Sequence, residues 1–477
     1  MVGTRGIRLQ QLGLDANLEG NRRNADISWL IVLSTIENGR DDAKSHLMHD
    51  RYAELGRGPL PIEPYISPTY YELEKRHIFK RVWQHVGREA EIPNPGDYFV
   101  ADLPASDASL IVIRDRDGKI NAMHNVCSHR FNKLVYDERG SAGRRLNCKF
   151  HGWSYQLDGR LVGVPDEQYF EDFDRGQYGL ARAHADVWQG FIFVNVDPAP
   201  AVSLADFMRP FYTGLEGYPF DRMTNCYRWQ TVVNCNWKLA LDAFQETYHV
   251  RYVHGRSIAD ALRTDDNGSM LPIDLLCGDF HRRLSMAGNP KTVYGNPKAL
   301  TDGNGAAKQA GTSRAGKIAP AALKAGRGAT KLHFDSAELP PAINWLKDPD
   351  WVFDINVIFP EFYVSTRPNY YQAYNFRPIA HNRTLFDSRV YYPEMKNAGG
   401  RFYQEYMKCV LRDVLLEDLG TLEQIQAGCE SGPRTHMVLQ DYELAVRHNA
   451  FVVDRMIREG EERREAESRR KGSPSAR

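Results

Sequence analysis

Glu246, His249 and His254 lie close together in the stretch Asn236 to His254, NWKLALDAFQETYHVRYVH. Two imidazoles and a carboxylate are the side chains that hold a first-row transition metal and leave coordination positions free for chemistry. On a 3.6-residue period Glu246 and His249 share a helix face. His254 lies five residues beyond His249, roughly 140° round the same ideal helix. Both histidines reach one ion only where the helix ends or is distorted between them, and Gly255 stands where such an ending would fall. Alone, these residues fit an amphipathic helix with ordinary histidines better. A second cluster upstream changes the balance. Cys127-Ser-His129 is followed after eighteen residues by Cys148-Lys-Phe-His151, the donor set of a tetrahedral thiolate and imidazole site. Zinc accepts these ligands. The alternative is a [2Fe–2S] cluster in which two Cys hold one iron and two His the other, at a higher potential than an all-Cys cluster.

The flanking residues favour the cluster. Cys127-Ser-His129-Arg130 and Cys148-Lys-Phe-His151-Gly152-Trp153-Ser-Tyr155 resemble the Rieske signature of the ring-hydroxylating oxygenases. Asn236-Trp237-Lys238 followed by Glu246-x-Tyr248-His249-x4-His254 resembles the mononuclear-iron motif of the same enzymes, in the same order and at about the same separation. The resemblance runs from about residue 48 to about 450. Three positions depart from it: Phe131 stands where Gly usually follows His-Arg, the stretch between the ligand pairs is slightly long, and Ala243 replaces an Asn after the acidic Asp242.

The resemblance implies that Cys127, His129, Cys148 and His151 hold the [2Fe–2S] cluster and that His249 and His254 hold a mononuclear Fe(II). It implies a third iron ligand at Asp418, in Glu417-Asp418-Leu-Gly-Thr-Leu-Glu423, with Glu417 as the rival and a plain structural helix face as the alternative. It also implies that Glu246 bridges an iron-bound histidine to the cluster histidine His151 of a neighbouring protomer, because metal-bound imidazoles commonly give their second N–H to a carboxylate. Such a contact needs a head-to-tail ring, hence a homotrimer, or a hexamer with a small β subunit.

Short β-like runs surround the first cluster. Ser109–Arg114 and Lys119–His124 flank Asp117-Gly118, and Trp153–Leu157 and Arg160–Val164 flank Asp158-Gly159, both hairpin signals. Phe191–Val196 closes the set, so the cluster ligands are expected on loops of an all-β domain. Upstream, Pro68–Trp83 has helical spacing behind Ser67 as a cap. Downstream, Arg228–Val233, Trp351–Phe359, Phe362–Thr366, Tyr370–Arg377 and Thr384–Tyr392 read as strands and a helical pattern begins near Phe402. The predicted class is α+β; the resemblance implies a Rieske domain plus a catalytic domain whose antiparallel sheet curls around a long helix.

The expected organisation is an extension over 1–47, a helical segment over 48–85, a Rieske domain over 86–200, a catalytic domain over 201–455 and a charged, disordered tail over 456–477. Within the catalytic domain, 288–330 turns rich in Gly, Ala, Lys and Asn and reads as a flexible insertion, either an entrance lid or a surface loop.

Composition excludes several classes. The 477 residues are 42% hydrophobic with zero formal net charge, which speaks against a nucleic-acid binder. Of seven cysteines two belong to the cluster, and the other five, Cys226, Cys235, Cys277, Cys409 and Cys429, lack paired spacing, which speaks against a disulfide framework and fits the cytoplasm. The apolar run Trp29–Leu33 is too short to span a bilayer. No flavin- or NAD-binding fingerprint is visible, so NAD(P)H acts only through a separate reductase, with or without a ferredoxin. The reading is a terminal oxygenase that uses O2 to dihydroxylate or monohydroxylate an apolar, aromatic-type substrate. A monooxygenase or O- or N-demethylase uses the same iron. A pure electron-transfer Rieske protein would leave residues 236–254 without a role.

Overall fold

The computed structural model describes residues 48–209, 215–255, 257–258, 272–289, 340–367 and 370–472, with 262, 321, 322 and 325 besides. The extension 1–47, most of the insertion 288–330 and the last five residues lie outside the described residues.

After a short strand β1 (Leu60–Pro61), helices α1 (Glu63–Ile66) and α2 (Pro68–Glu74) lead into the body of the protein. Ser67 caps α2 as expected, its hydroxyl accepting from the N–H of Tyr70 at 3.1 Å. The helix is shorter than its spacing predicted. It passes through a π-helical turn, Lys75–Phe79, and the chain then straightens to bury Val82 and Trp83.

A seven-stranded antiparallel sheet follows, in the order β2-β11-β10-β5-β4-β3-β6. Its strands are β2 (Gln84–Arg88), β3 (Asp97–Leu103), β4 (Ala108–Arg114), β5 (Ile120–His124), β6 (Arg139–Ser141), β10 (Arg182–Trp188) and β11 (Phe191–Asn195). Between β6 and β10 a small sheet of β7 (Leu146–Asn147), β8 (Ser154–Tyr155) and β9 (Leu161–Gly163) stands apart. Both hairpin signals form turns. Gly118 and Gly159 adopt φ of +82° and +88°, conformations that suit Gly. Asp115 closes the first turn by accepting from the N–H of Asp117 and Lys119.

The second sheet has the order β12-β18-β17-β16-β15-β14-β13. Helix α3 (Leu204–Met208) precedes β12 (Asn225–Val233), α4 (Trp237–Asp242) and α5 (Val250–Val253) follow it, and then come β13 (Asp274–Cys277), β14 (Arg282–Ala287), β15 (Trp351–Ile358), β16 (Phe362–Thr366), β17 (Tyr371–Ala380) and β18 (Arg383–Tyr392). Strands β13 and β14 were not legible, because β14 opens on Arg282 and Arg283, two charged residues that are buried only once the chain folds. The sheet curls, and its two faces have different partners. One packs against the first sheet, where His85 stacks on Phe362 at 3.7 Å between centroids and hydrogen-bonds Asn375 at 3.0 Å. The other receives Phe244, whose ring lies 5.1–6.1 Å from those of Tyr363, Tyr374, Phe376 and Phe386. The α+β class therefore stands.

Helix α6 (Ala398–Glu430) packs Tyr403, Tyr406, Met407 and Val410 against Tyr370, Val390 and Tyr392. A last strand, β19 (His436–Met437), pairs with β1, and α7 (Leu444–Gly472) follows. This corrects the disordered tail expected over 456–477, because residues 456–472 are helical. The Glu/Arg richness that read as disorder is spaced to pair along one helix, as Arg463–Glu459, Arg464–Glu461 and Arg469–Glu465. No helix among the described residues is long and apolar enough to cross a membrane, and all seven cysteines are free thiols.

Candidate metal centres

The first centre sits between two loops built alike. In one, the N–H of Cys127 donates to the carbonyl of Asn132 at 2.8 Å and that of Phe131 donates back to Cys127 at 3.0 Å. In the other, Cys148 donates to Trp153 at 2.8 Å and Gly152 to Cys148 at 3.0 Å. Phe131 thus occupies the place that Gly152 holds in the twin loop, and both have positive φ, +60° and +74°. The loops bring Cys127, His129, Cys148 and His151 together. The imidazole centroids are 4.6 Å apart, and the Nδ1 atoms of both histidines are buried with no hydrogen-bond partner. Two buried thiols and two orphaned ring nitrogens fit a [2Fe–2S] cluster held by two Cys and two His.

Further groups surround these four residues. The Tyr155 hydroxyl lies 3.1 Å from Cys127 Sγ and accepts from the N–H of Ser128. Trp153 stacks on His129 at 4.8 Å, and Phe170 approaches edge-on. Burial, with His151 and Arg130 nearby, lowers the pKa of His129, which favours the neutral imidazole that a metal requires. Burial opposes ionisation of Cys148, yet the N–H groups of Phe150 and His151 outweigh it and hold the thiol below its usual range.

The second centre is set by contacts between α4, α6 and the N-terminal helices. Asn236 caps α4 by accepting from the N–H of Lys238 at 2.9 Å, and its own N–H donates to Gln426 on α6 at 2.9 Å. One turn earlier on α6, Glu423 accepts from the N–H of Asn234 at 2.9 Å. On the other flank the buried Glu74 accepts from Trp237 Nε1 at 3.0 Å and pairs with buried Lys238. Tyr65 donates to Asp242 at 3.2 Å.

The expected helix over the iron stretch is not continuous. It stops at Asp242, turns through residues 243–248, and resumes as α5, with His249 at the N-cap and His254 at the C-cap. The break falls ahead of His249, so Glu246 and His249 do not share a helix face. Glu246 instead accepts from the backbone N–H of Tyr248 and His249, as a helix-capping side chain does, and contacts His249 Nδ1.

His249, His254 and Asp418 converge, each offering one ligand atom within 4.8 Å of the others. Asp418 Oδ1 lies 3.5 Å from His249 Nε2 and 2.9 Å from His254 Nε2, and is buried with no well-formed hydrogen bond. A buried carboxylate oxygen that faces two imidazole nitrogens without hydrogen-bonding to either fits a cation between them. Glu417, the rival ligand, points elsewhere. It accepts from His254 Nδ1 at 2.8 Å and from the Ser257 hydroxyl at 2.6 Å. Each histidine therefore has a carboxylate on its Nδ1, Glu246 on His249 and Glu417 on His254, leaving both Nε2 atoms turned to Asp418. Burial disfavours charge on His249, but Asp418 and Glu246 outweigh it and carry its pKa up to about 10. Burial likewise opposes ionisation of Asp418, and the two histidines hold its carboxyl below the usual range.

Comparison with known proteins agrees with this arrangement. Residues 220–459 match the catalytic domain of the ring hydroxylating alpha subunit, and residues 82–174 match the Rieske [2Fe-2S] domain. The glycine betaine monooxygenase oxygenase subunit of Chromohalobacter salexigens is 34% identical over 226 residues, 47% of this chain and 49% of that protein. The anthranilate 1,2-dioxygenase large subunit of Burkholderia cepacia is 32% identical over 231 residues, 45% and 51% of the two chains. The aligned region thus spans about half the length of these curated relatives. The fold resembles crystal structures of naphthalene 1,2-dioxygenase from Rhodococcus sp., with a TM-score of 0.62 at 20% identity over 89% of this chain and 97% of that one, and of a quaternary ammonium Rieske monooxygenase, with a TM-score of 0.61 at 19% identity over 84% and 94%. With its catalytic match covering half of the sequence and the Rieske match lying ahead of it, the chain belongs to the ring hydroxylating alpha subunit family.

Proposed function

We propose that this chain is the terminal oxygenase of a multicomponent system, drawing electrons that originate in NAD(P)H from a separate reductase, directly or through a ferredoxin, and hydroxylating a small organic substrate with O2. The observation that carries the reading is the convergence of His249, His254 and Asp418 in a chain that also gathers Cys127, His129, Cys148 and His151. When bound, a Rieske cluster supplies single electrons and a 2-His-1-carboxylate iron supplies open positions for O2. The chain's own residues have defined tasks. His249, His254 and Asp418 would hold the iron, and Glu246 and Glu417 would orient the imidazoles and fix the tautomer through Nδ1. The aromatic surface of Phe244, Tyr363, Tyr374 and Phe386 suits a substrate that is apolar at its reacting end.

Glu246 has a second proposed task, as the carboxylate between His249 and the cluster histidine of a neighbouring copy. That task requires a ring, a homotrimer or a hexamer with small β subunits. A cytoplasmic setting agrees with the free thiols. The test is oxygen uptake and product formation by the purified chain with NADH and a surrogate reductase. Cys127→Ser should stop turnover while the His249, His254 and Asp418 site still binds iron. Turnover undiminished in that variant would remove the cluster from the mechanism.

A further inference from the structure

The face of the second sheet that meets Phe244 is largely aromatic, with buried Arg282 and Ser388 in the same row as Tyr363 and Tyr374, and it carries a further polar group at one corner. Side chains alternate along a strand, so Tyr363 and Ser365 of β16 share this face with Arg367, just past its end. In the ladder Tyr363 lies opposite Tyr374 and Ser365 opposite Gln372. Tyr218 holds the Arg367 backbone, its hydroxyl donating to the carbonyl at 2.7 Å and accepting from the N–H at 3.3 Å. The guanidinium carbon lies 4.0 Å from the ring centroid of Phe353 and 5.3 Å from that of Tyr370.

Stacking on two rings accounts for the packing of Arg367 but leaves its donors unused. Its Nε is buried without a hydrogen-bond partner, and no carboxylate pairs with the guanidinium among the described residues. Beside it the buried Ser365 hydroxyl lies next to the Tyr363 hydroxyl and has no other hydrogen-bond partner. Gln372, 4% exposed, has a side-chain amide that no described residue engages. An unpaired guanidinium with a hydroxyl and a carboxamide, set in buried aromatic surface, is the donor set that recognises a carboxylate. Burial pushes the Tyr363 hydroxyl up to about 12, Arg367 and Ser365 draw it down and Asp418 pushes it up, so one buried hydroxyl stands in the fields of both Arg367 and the iron-facing carboxylate.

We propose that Arg367, with Ser365 and Gln372, binds the carboxylate of an anionic substrate whose apolar remainder lies along the aromatic face toward His249, His254 and Asp418. The anion site stands on its own geometry; that its occupant is oxidised rests on the oxygenase reading above. The guanidinium makes two parallel hydrogen bonds to the carboxylate, and the hydroxyl and amide complete its solvation.

The test is equilibrium binding to the iron-loaded protein of matched carboxylates and amides: benzoate with benzamide, phenylacetate with phenylacetamide, hexanoate with hexanamide. In the wild type at least one carboxylate should bind tenfold or more tighter than its amide. Arg367→Gln should erase that preference while leaving the melting temperature and the Rieske absorption in place, and Arg367→Lys should keep part of it. If no carboxylate outbinds its amide, or if the preference survives Arg367→Gln, the site is wrong. A carboxylate preference that depends on Arg367, in a protein that consumes no O2 with reductase and NADH, would uphold the anion site and overturn the oxygenase reading instead.

Discussion

Glu417 accepts from Nδ1 of His254 at 2.8 Å, on the ring edge opposite the nitrogen that faces Asp418. Two adjacent carboxylates on α6 therefore meet opposite edges of one imidazole, which fits separate proposed tasks, Asp418 as an iron ligand and Glu417 holding the ring. Asp418→Ala should leave the chain without its mononuclear iron while the Rieske absorption and EPR signals persist. Glu417→Gln should keep the iron but weaken its affinity by roughly 10- to 100-fold. Competition with a calibrated chelator measures both, and iron loss in Glu417→Gln as complete as in Asp418→Ala would exchange the two roles.

Glu246 touches His249 through Nδ1 and the backbone N–H, so its charge and its reach are separable. Glu246→Gln should leave both centres loaded and the cluster reducible by its own donor, yet slow oxidation of the reduced cluster severely in the presence of substrate and O2. Stopped-flow absorbance at the cluster band follows that step directly. A wild-type rate, or an active enzyme that sediments as a monomer, would end the bridging proposal.

Phe131 holds a left-handed conformation that its twin loop assigns to Gly152. For a residue with a Cβ this conformation costs about 1–2 kcal/mol. Phe131→Gly removes that strain but gives the unfolded chain more freedom, so a net gain of up to about 1 kcal/mol is expected. Gly152→Ala should destabilise, since the added Cβ also meets Pro165 at 3.2 Å. Denaturant melts of the cluster-loaded protein measure both, and a Phe131→Gly variant clearly less stable than wild type would mean that the ring's contacts outweigh the strain.

The pH dependence of the chain stripped of metal follows from His249, whose pKa is raised from 6.5 to about 10. A raised folded-state pKa contributes stability that is complete below about 6.5 and is lost as pH rises through about 10. Chelator-treated protein should therefore lose melting temperature progressively between pH 7 and 10. Iron-loaded protein, in which the ion replaces the proton between His249 and Asp418, should show a smaller loss. Parallel pH profiles for the two forms would contradict this.

The candidate ligands could be picked out from the sequence because metals fix residue type and spacing more tightly than packing does. His249, His254 and Asp418 lie together, and the buried Nδ1 atoms of His129 and His151 lack hydrogen-bond partners, as the expected ligand sets would require. Strand β16 was read at both ends, since its apolar run is bounded by the turn before Phe362 and by Pro368. The break after Asp242 was not legible. Leu241, Ala243 and Phe244 continue a helical pattern, and only tertiary contacts, Tyr65 on Asp242 and Phe244 in the aromatic face, show why the helix stops. The role of Glu417 was hidden for a similar reason, because consecutive carboxylates on a helix look alike until the ring they flank is in place.

Metal analysis of protein purified without air decides whether one chain holds both centres. With both centres present, roughly three iron and two acid-labile sulfides per chain are expected, falling to roughly two iron in Asp418→Ala with the sulfide unchanged. Zinc in place of iron and sulfide at Cys127, His129, Cys148 and His151, or roughly two iron in the wild type with no change in Asp418→Ala, would contradict it.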